Sequence, residues 1–264
     1  MGTYNDLKDA LGPDEFNYAY SISLRHHYMY VENAKCASTT LKTILGRLEL
    51  SGTGLGVDIV NNYLNDVHPN VLGSPFLKPF QLGEAAFDKL VTERDVFCMT
   101  FVRNPYSRLL SAYLDKIVPQ PRKQESASIF DEAARLNLRS KSGDLSFFAF
   151  LLCVRALLLR GGHVDCHWRP QHVQTQIGRV DYDLIGRVET IRSDLAKVET
   201  ALRCKLTYPG KVGGHETGAD VRLAEMYIGE CPALIEEIYE KDFTCFGYPI
   251  GLRHYLGSLS WLRD

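Results

Sequence analysis

The chain has 264 residues, and its 30 basic and 32 acidic side chains leave a formal net charge of -2. This balance excludes a protein whose whole surface binds nucleic acid or anionic lipid, because such a surface needs a large excess of Lys and Arg. A composition of 45% hydrophobic and 23% charged residues is ordinary for a globular protein, so we expect one domain spanning residues 1–264.

The N-terminal residues and the cysteines predict a cytoplasmic protein without a membrane span. Residues 1–16 carry acids and turn formers instead of a basic stretch followed by an apolar run, so they do not resemble a signal peptide. The most apolar stretch, 145–154, is followed by Arg155 and is too short to cross a bilayer. The seven cysteines form no CxxC pair, which favours reduced thiols.

Strand and helix patterns alternate along the chain. Apolar and β-branched runs predict strands at 27–32, 96–102 and 183–188. Helical patterns occur at 38–50, from Pro105 onward, and at 126–138, 145–159, 190–203 and 233–241. This alternation predicts a three-layer α/β fold with a central, mostly parallel sheet. Ligands of such sheets bind beyond the carboxyl ends of the strands.

Residues 33–40 (NAKCASTT) join the first predicted strand to its helix. Small residues let the backbone bend around a ligand, and the N–H groups at a helix start attract anions. The hydroxyls of Ser38, Thr39 and Thr40 add donors, and Lys35 adds a positive charge. The alternative is that these hydroxyls only cap the helix and the lysine is solvated. The segment is not a Walker A loop, which places its lysine near the end.

Residues 101–113 (FVRNPYSRLLSAY) join the second predicted strand to its helix. Arg103 stands at the strand end, and Ser111, eight positions later, can lie on the same side of the helix. A guanidinium binds phosphate oxygens in a planar, bidentate way. Basic residues, including Arg108, outnumber acids five to one over 103–123, which predicts a local positive patch. The alternative is a helix-capping loop with solvated arginines.

These two segments resemble motifs of the PAPS-dependent carbohydrate sulfotransferases, the Golgi-type glycan and heparan 2-O-sulfotransferase group (sulfotransferase family 2). Residues 101–113 look like the 3′-phosphate motif, and AKCASTT at 34–40 looks like the 5′-phosphosulfate loop, commonly Pro-Lys-x-x-x-Thr/Ser. Three later segments are also similar: HWRPQ at 167–171, YDLIGRVET at 182–190 and YEKDFTCFGY at 239–248. The similar segments keep the family's order, so we expect the domain core to span about 26–248.

The resemblance has departures. Ala34 replaces the proline that usually precedes the loop lysine, and Cys36 takes a position often filled by Thr or Val. Neither change removes a donor that the backbone cannot supply, so we expect cofactor binding to survive. The membrane anchor and stem of the animal enzymes are missing from this sequence, which leads us to expect a soluble, bacterial-type relative.

The resemblance implies a three-layer, P-loop-like sulfotransferase fold and a reaction. The cofactor is 3′-phosphoadenosine-5′-phosphosulfate (PAPS), its product is 3′,5′-ADP, and the acceptor is a hydroxyl of a glycan or related small molecule. The 3′-phosphate is expected on Arg103 and Ser111. The phosphosulfate is expected on Lys35, Cys36, Ala37, Ser38, Thr39 and Thr40. Lys35 is also expected to neutralise the charge that grows on the leaving phosphate oxygen, and no metal is needed.

A base must take the proton from the acceptor hydroxyl, and a histidine suits this role near neutral pH. His68 lies in sequence between the two loops, where several members of the family place their catalytic histidine. The alternative is a surface histidine in an irregular loop. His167 is the second candidate, and Glu32 and Glu189 are further ones.

A zinc site is the alternative explanation of His163, Cys166, His167 and His172, because three imidazoles and a thiol can ligate zinc. Adjacent Cys166 and His167 suit one tetrahedral ion poorly, so we expect no metal.

The acceptor side is predicted less directly. Trp168 and Arg169 are expected to line it, with the indole stacking on a sugar face, although a tryptophan is more often a core residue. Irregular segments at 51–81, 118–126 and 208–220 are expected to shape it. Two other functions stay open at this point: a binding module that has lost catalysis, and a nucleotide kinase, which the missing Gly-Lys-Ser/Thr disfavours. The sequence assigns no oligomeric state and no nucleic-acid partner.

Overall fold

The structure is a computed structural model, and it describes residues 2–55, 63, 66–68, 74–119, 124–141, 143–162, 164–207 and 218–258. The chain divides into two compact units. The first unit comprises Met1–Val102 and Val173–Gly214, and the second comprises Arg103–His172 and His215–Asp264. The single sulfotransferase domain expected from the sequence stays a prediction.

The described helices and strands follow one another in a mixed α/β order. They are α1 (Tyr4–Leu11), α2 (Pro13–Ala19), β1 (Tyr20–Ser23), β2 (Tyr28–Val31), α3 (Ser38–Leu50), α4 (Pro79–Leu82), α5 (Glu84–Thr92), β3 (Phe97–Val102), α6 (Pro105–Lys116), α7 (Gln124–Arg135), α8 (Phe147–Arg160), α9 (Gln171–Gln174), β4 (Leu184–Arg187), α10 (Ile191–Leu202), α11 (Ala219–Met226), α12 (Cys231–Ile238), α13 (Glu240–Phe246) and α14 (Leu252–Ser258).

The first unit contains a four-stranded sheet in the order β1-β2-β3-β4. β1 pairs antiparallel with β2, and β2, β3 and β4 are parallel. The three strands predicted from apolar runs are confirmed within two residues at each end. The sequence analysis missed β1, because its pattern Tyr-Ser-Ile-Ser is half polar although all four residues are buried. The mostly parallel α/β sheet is therefore confirmed.

Helices cover both faces of this sheet. On one face Tyr28, Tyr30 and Phe101 pack against apolar side chains of α3 and α10. On the other face Met29 and Val31 pack against α1, α2 and α5. Successive side chains of a strand point to opposite faces, so β2 contributes to both cores. The arrangement gives the three layers that the sequence predicts.

The second unit is helical in its described residues. Its core brings together aromatic side chains of α6 and α8, with Tyr113 and Phe150 at a ring distance of 5.5 Å. α8 begins at an N-cap, Ser146, whose hydroxyl accepts from the N–H of Ala149 at 3.2 Å. The helix predicted at 233–241 is instead two helices, α12 and α13, because the backbone leaves helical geometry at Tyr239. Among the described residues, no helix combines the length and apolar composition needed to cross a membrane.

Candidate functional site

The loop after β2 is tightly wound and fixed to the sheet. The N–H of Cys36 donates to the carbonyl of Asn33 at 3.2 Å, and the buried Asn33 amide donates to the carbonyl of Phe101 at 3.1 Å. Lys35 and Ala37 adopt left-handed backbone angles, with φ of 66° and 60°. Each such residue costs about 1–3 kcal/mol when it is not glycine, and such costs cluster at ligand sites. The sequence does not reveal this geometry, because neither residue is a glycine.

The start of α3 lacks the side-chain cap that the alternative interpretation requires. Ala37 is the N-cap residue, and no side chain caps the helix. Ser38, Thr39 and Thr40 lie in the first turn instead, where all three are half-buried. The backbone N–H groups of this turn and the helix dipole therefore face the loop that carries Lys35. This arrangement suits an anion.

A buried ion pair lies beneath the loop. Lys42, on α3, pairs with Glu32, the residue after β2, and both side chains are at most 6% exposed. The ammonium of Lys42 also lies 4.2 Å from the centre of the Tyr18 ring. Burial by itself raises the pKa of the Glu32 carboxyl, but Lys42 and His68 outweigh it, and the pKa lies below its ordinary value. A carboxylate in this state is a poor proton acceptor, so Glu32 does not suit the role of base.

His68 lies against both the ion pair and the start of α3. Its Nδ1 is 2.8 Å from the hydroxyl of Tyr18, 3.5 Å from Nζ of Lys42 and 3.9 Å from the Glu32 carboxylate. Its Nε2 is 3.0 Å from the hydroxyl of Thr39. A hydroxyl can donate or accept, so both neutral tautomers of the ring keep two hydrogen bonds. The structure thus brings the predicted base to the predicted phosphosulfate loop.

Lys78 is a second buried cation next to this cluster. Its ammonium donates to the carbonyls of Tyr18 and Tyr20 and to the hydroxyl of Ser21, at 2.9–3.2 Å. Burial, helped by the nearby charge of Lys42, lowers its pKa to about 7. Sequence analysis missed both lysines. The available signal was a basic residue, Lys42, inside the apolar pattern of a predicted helix.

In the second unit, Gln171 and Ser107 form hydrogen bonds with Arg103. Its backbone N–H donates to the Gln171 side chain at 3.0 Å, and the Gln171 amide donates to its carbonyl at 2.8 Å. Its Nε donates to the hydroxyl of Ser107 at 3.0 Å. Ser107 and Ser111 are one turn apart and therefore share a face of α6. Arg103 thus contacts the helical face that carries Ser111, and their joint action on a phosphate stays a prediction.

Arg108 does not contribute to an exposed positive patch. Its side chain is 1% exposed, and its terminal nitrogens donate to the carbonyls of Arg169 and Cys166 at 3.0 and 2.9 Å. The prediction of a patch that includes Arg108 is therefore wrong. The guanidinium instead fixes the segment 165–169, because carbonyl groups at a chain bend need buried donors.

Trp168 is a core residue. Its side chain is fully buried and packs edge-on against Phe150 at a ring distance of 6.0 Å. Arg169 is also buried, and its Nε donates to the carbonyl of Val164 at 2.9 Å. The expectation that these two side chains line an acceptor surface is wrong in this structure, since neither presents a face to a sugar.

Two histidines of the second unit are held by aspartates. Nδ1 of His167 lies 2.6 Å from Asp165, and Nδ1 of His172 lies 2.7 Å from the buried Asp242. A carboxylate at Nδ1 favours the tautomer whose Nε2 can accept a proton. His167 therefore keeps its place as the second candidate base. Glu189 lies half-buried in the 3-10 turn Val188–Thr190 of the first unit.

Among the described residues, one group has the composition of a metal site, namely Asp165, Cys166 and His167. The predicted zinc ligand His163 lies outside the described residues, and Nδ1 of His172 faces Asp242. Nδ1 of His167 is already in hydrogen-bond contact with Asp165. The geometry is that of an aspartate–histidine pair.

Comparison with known proteins decides the family. A sequence profile described as "Sulfotransferase family" matches residues 18–249. The chain belongs to the sulfotransferase family. This match covers both loops and every segment on which the resemblance was based.

This family member is also similar to curated carbohydrate sulfotransferases. It is 26% identical to carbohydrate sulfotransferase 10 of Xenopus laevis over 86% of this chain and 66% of that protein. It is 29% identical to human carbohydrate sulfotransferase 8 over 85% of this chain and 54% of that protein. It is 28% identical to mouse carbohydrate sulfotransferase 14 over 58% of this chain and 43% of that protein. The chain thus spans just under two thirds of the first of these relatives. No solved structure matches it.

Proposed function

We propose that this protein transfers a sulfuryl group from PAPS to a hydroxyl of a carbohydrate. The observation that carries the proposal is the geometry at the start of α3. Lys35 and Ala37 have left-handed backbone angles, and no side chain caps the helix that begins beside Lys35. Family membership and the names of the curated relatives support the same reaction. The residues present therefore fit a ligand with a phosphosulfate group.

The phosphosulfate end is assigned to Lys35, Cys36, Ala37, Ser38, Thr39 and Thr40. The backbone N–H groups of this turn and the three hydroxyls are hydrogen-bond donors, and Lys35 supplies a full positive charge. When bound, PAPS supplies an activated sulfuryl group that the acceptor oxygen attacks in line with the leaving phosphate oxygen. The ammonium of Lys35 stabilises the negative charge that grows at that leaving oxygen. The role needs no metal ion, because the lysine and the helix start provide the positive potential.

The 3′-phosphate is assigned to Arg103 and Ser111. Gln171 holds both backbone groups of Arg103, and Ser107 accepts from its Nε, so the guanidinium already has one oriented contact in the absence of a ligand. A donor that is already oriented loses little side-chain entropy on binding. The hydroxyl of Ser111 lies on the same helical face as that of Ser107 and can add a donor.

His68 is assigned as the base that takes the proton of the acceptor hydroxyl. Its Nε2 lies beside Thr39 in the first turn of α3, which is where the assigned phosphosulfate residues lie. On the Nδ1 side, the Glu32 carboxylate at 3.9 Å favours a positively charged ring, and the Lys42 ammonium at 3.5 Å opposes it. His167, held by Asp165, is the alternative base, and variants of the two histidines distinguish them.

The acceptor is proposed to be a glycan or a related small hydroxylated molecule, as the names of the relatives suggest. Most of the segments expected to shape its site lie outside the described residues, including 56–62, 69–73, 120–123 and 208–217. A panel of hydroxylated carbohydrates with ³⁵S-labelled PAPS identifies the acceptor. Label transferred to a sugar hydroxyl supports the proposal, and hydrolysis of PAPS without transfer to any sugar contradicts it.

We also propose a cytoplasmic location. None of the seven cysteines, all of which are described, forms a disulfide. Reduced thiols are the rule in a cytoplasm-like compartment. Titration of thiols in denatured protein, purified without reductant from its native host, should find all seven, and fewer thiols would contradict the proposal.

Ligand-induced thermal stabilisation tests the proposed function. We expect 3′,5′-ADP to raise the melting temperature of the whole chain more than ATP with magnesium does, because only the former carries the 3′-phosphate. A ligand at about 100 times its Kd stabilises the folded state by about 2.7 kcal/mol. Greater stabilisation by ATP with magnesium overturns the proposal in favour of a nucleotide kinase.

A further inference from the structure

The hydroxyl of Ser107 is the junction of a buried hydrogen-bond network in the second unit. The residue is fully buried, and its Oγ donates to the carbonyl of Asn104 at 3.3 Å. The same oxygen accepts from Nε of Arg103 at 3.0 Å and from the hydroxyl of Tyr255 at 3.3 Å. A serine hydroxyl has one donor and two acceptor positions, so these three contacts use its whole capacity.

Tyr255 reaches this junction from α14, near the C-terminal end of the described chain. The tyrosine is 3% exposed, and its ring stacks on that of Tyr106 at 6.2 Å and 26°. The N–H of Gly251, just before α14, donates to the hydroxyl of Tyr106 at 3.1 Å. The Tyr106 hydroxyl in turn donates to the carboxylate of Glu236 on α12. Two aromatic side chains thus fix α14 against the first turn of α6.

We propose that Tyr255 is a positioning residue for the 3′-phosphate site and acts on Arg103 through Ser107. The inference rests on the proposed function, in which Arg103 binds the 3′-phosphate. Nε of the guanidinium donates to an oxygen that also accepts from the hydroxyl of Tyr255. Because a guanidinium is planar, fixing Nε also fixes the direction of its two terminal nitrogens. Tyr255 does not touch the ligand in this scheme, and it sets the angle at which the arginine meets it.

The arrangement makes selectivity for the 3′-phosphate depend on the C-terminal helix. Tyr255 and Ser107 are 148 positions apart in sequence. A nucleotide that lacks the 3′-phosphate makes no use of the guanidinium direction, so its affinity is independent of Tyr255. The positioning role therefore predicts a loss of affinity specific to 3′-phosphorylated nucleotides.

Calorimetric titration of the whole chain with 3′,5′-ADP and 5′-AMP tests the inference. We expect Tyr255→Phe, which keeps the ring and removes the hydroxyl, to weaken 3′,5′-ADP binding about 3- to 10-fold, the usual range for one hydrogen bond. The affinity for 5′-AMP should stay unchanged. Ser107→Ala should reduce the preference for 3′,5′-ADP over 5′-AMP more than Tyr255→Phe does. Tyr113→Phe is the matched control. Tyr113 lies near the C-terminal end of α6, and its hydroxyl donates to the carbonyl of Leu145, away from Ser107.

A double-mutant cycle separates positioning from a general structural role. In an Arg103→Ala background, Tyr255→Phe should cause no further loss of 3′,5′-ADP affinity, since the group that it orients is gone. An additive loss, or an equal loss for both nucleotides, overturns the inference. If the wild-type chain fails to prefer 3′,5′-ADP over 5′-AMP, the assignment of Arg103 itself fails, and that result is separate from the effect of Tyr255.

Discussion

Nε2 of His68 lies 3.0 Å from the hydroxyl of Thr39, so a histidine from an irregular segment meets the first turn of α3. The two residues are 29 positions apart. One belongs to the proposed phosphosulfate loop, and the other is the proposed base. Their contact joins the two parts of the proposed chemistry within the first unit.

Removal of the loop lysine tests the proposed charge stabilisation. We expect Lys35→Ala to lower kcat on the order of 100-fold or more, because the growing charge on the leaving oxygen loses its cation. Lys89→Ala is the matched control, since its side chain is 69% exposed and lies on α5. Transfer of labelled sulfate measures both. Equal rates for the wild type and Lys35→Ala would show that this ammonium takes no part in the reaction.

Arg103 is expected to select the 3′-phosphate. Arg103→Ala should weaken binding of 3′,5′-ADP on the order of 10- to 100-fold, the usual cost of losing hydrogen bonds to a charged group. It should leave 5′-AMP binding nearly unchanged, as calorimetry can measure. Arg155→Ala serves as the control, because Arg155 is a half-exposed partner of Glu237. Equal losses for the two nucleotides would contradict the assignment.

The two candidate bases give opposite expectations. We expect His68→Ala to abolish turnover and to leave 3′,5′-ADP affinity nearly unchanged, because the ring acts on the acceptor. His167→Ala should retain most of the activity, and His27→Asn, at an exposed left-handed position, is the control. Full activity in His68→Ala together with loss in His167→Ala moves the role to the Asp165–His167 pair.

The buried ammonium of Lys78 predicts a pH dependence of stability. Its pKa is about 7 in the folded chain and about 10.4 when unfolded, so between these values the unfolded state binds more protons. The contribution of Lys78 to the free energy of unfolding therefore rises with pH, by on the order of 2 kcal/mol from about pH 6.5 to about pH 9. Urea denaturation at both pH values measures it.

Lys78→Met is the reference for that measurement. The difference in unfolding free energy between the wild type and this variant should shift in favour of the wild type at the higher pH. Other titrating groups cancel in the difference. A difference that stays constant with pH, or that shifts in favour of Lys78→Met, would contradict a lowered pKa of Lys78.

Gly46, in the middle of α3, is required by packing. A Cβ at this position would lie 2.1 Å from the Tyr63 ring, whose hydroxyl donates to the carbonyl of Lys42 at 3.0 Å. We expect Gly46→Ala to lower the unfolding free energy by about 1–3 kcal/mol, the usual cost of overpacking. This reverses the ordinary preference of about 1 kcal/mol for Ala in a helix.

Gly257→Ala is the matched control for Gly46→Ala. Gly257 also lies in a helix, α14, and a Cβ there meets no atom within 4 Å. Chemical denaturation should show that Gly257→Ala is neutral or stabilising. A stabilising Gly46→Ala would mean that the Tyr63 ring moves aside without cost.

Local sequence patterns predicted the parts of this protein that depend on neighbouring residues. The apolar run at 96–102 became β3, and the helix predicted at 38–50 is α3 with identical bounds. Both elements are predicted well because hydrophobic periodicity and the turn residues that end an element are local features of the sequence. The roles assigned to Lys35 and Arg103 came from contiguous motifs, and the family match covers both.

The tertiary structure decided which polar groups are buried and which distant residues meet. The burial of Arg108 and the Tyr255–Ser107 contact arise from segments far apart in sequence. Even the Glu32–Lys42 pair, ten positions apart, forms only because the chain folds back from β2 into α3. A local pattern records the character of a side chain, but desolvation depends on what packs over it. The net charge of -2 excludes a protein whose whole surface is basic. Only the packing shows that Lys42 and Arg108 lie inside the protein while Lys35 stays at the loop.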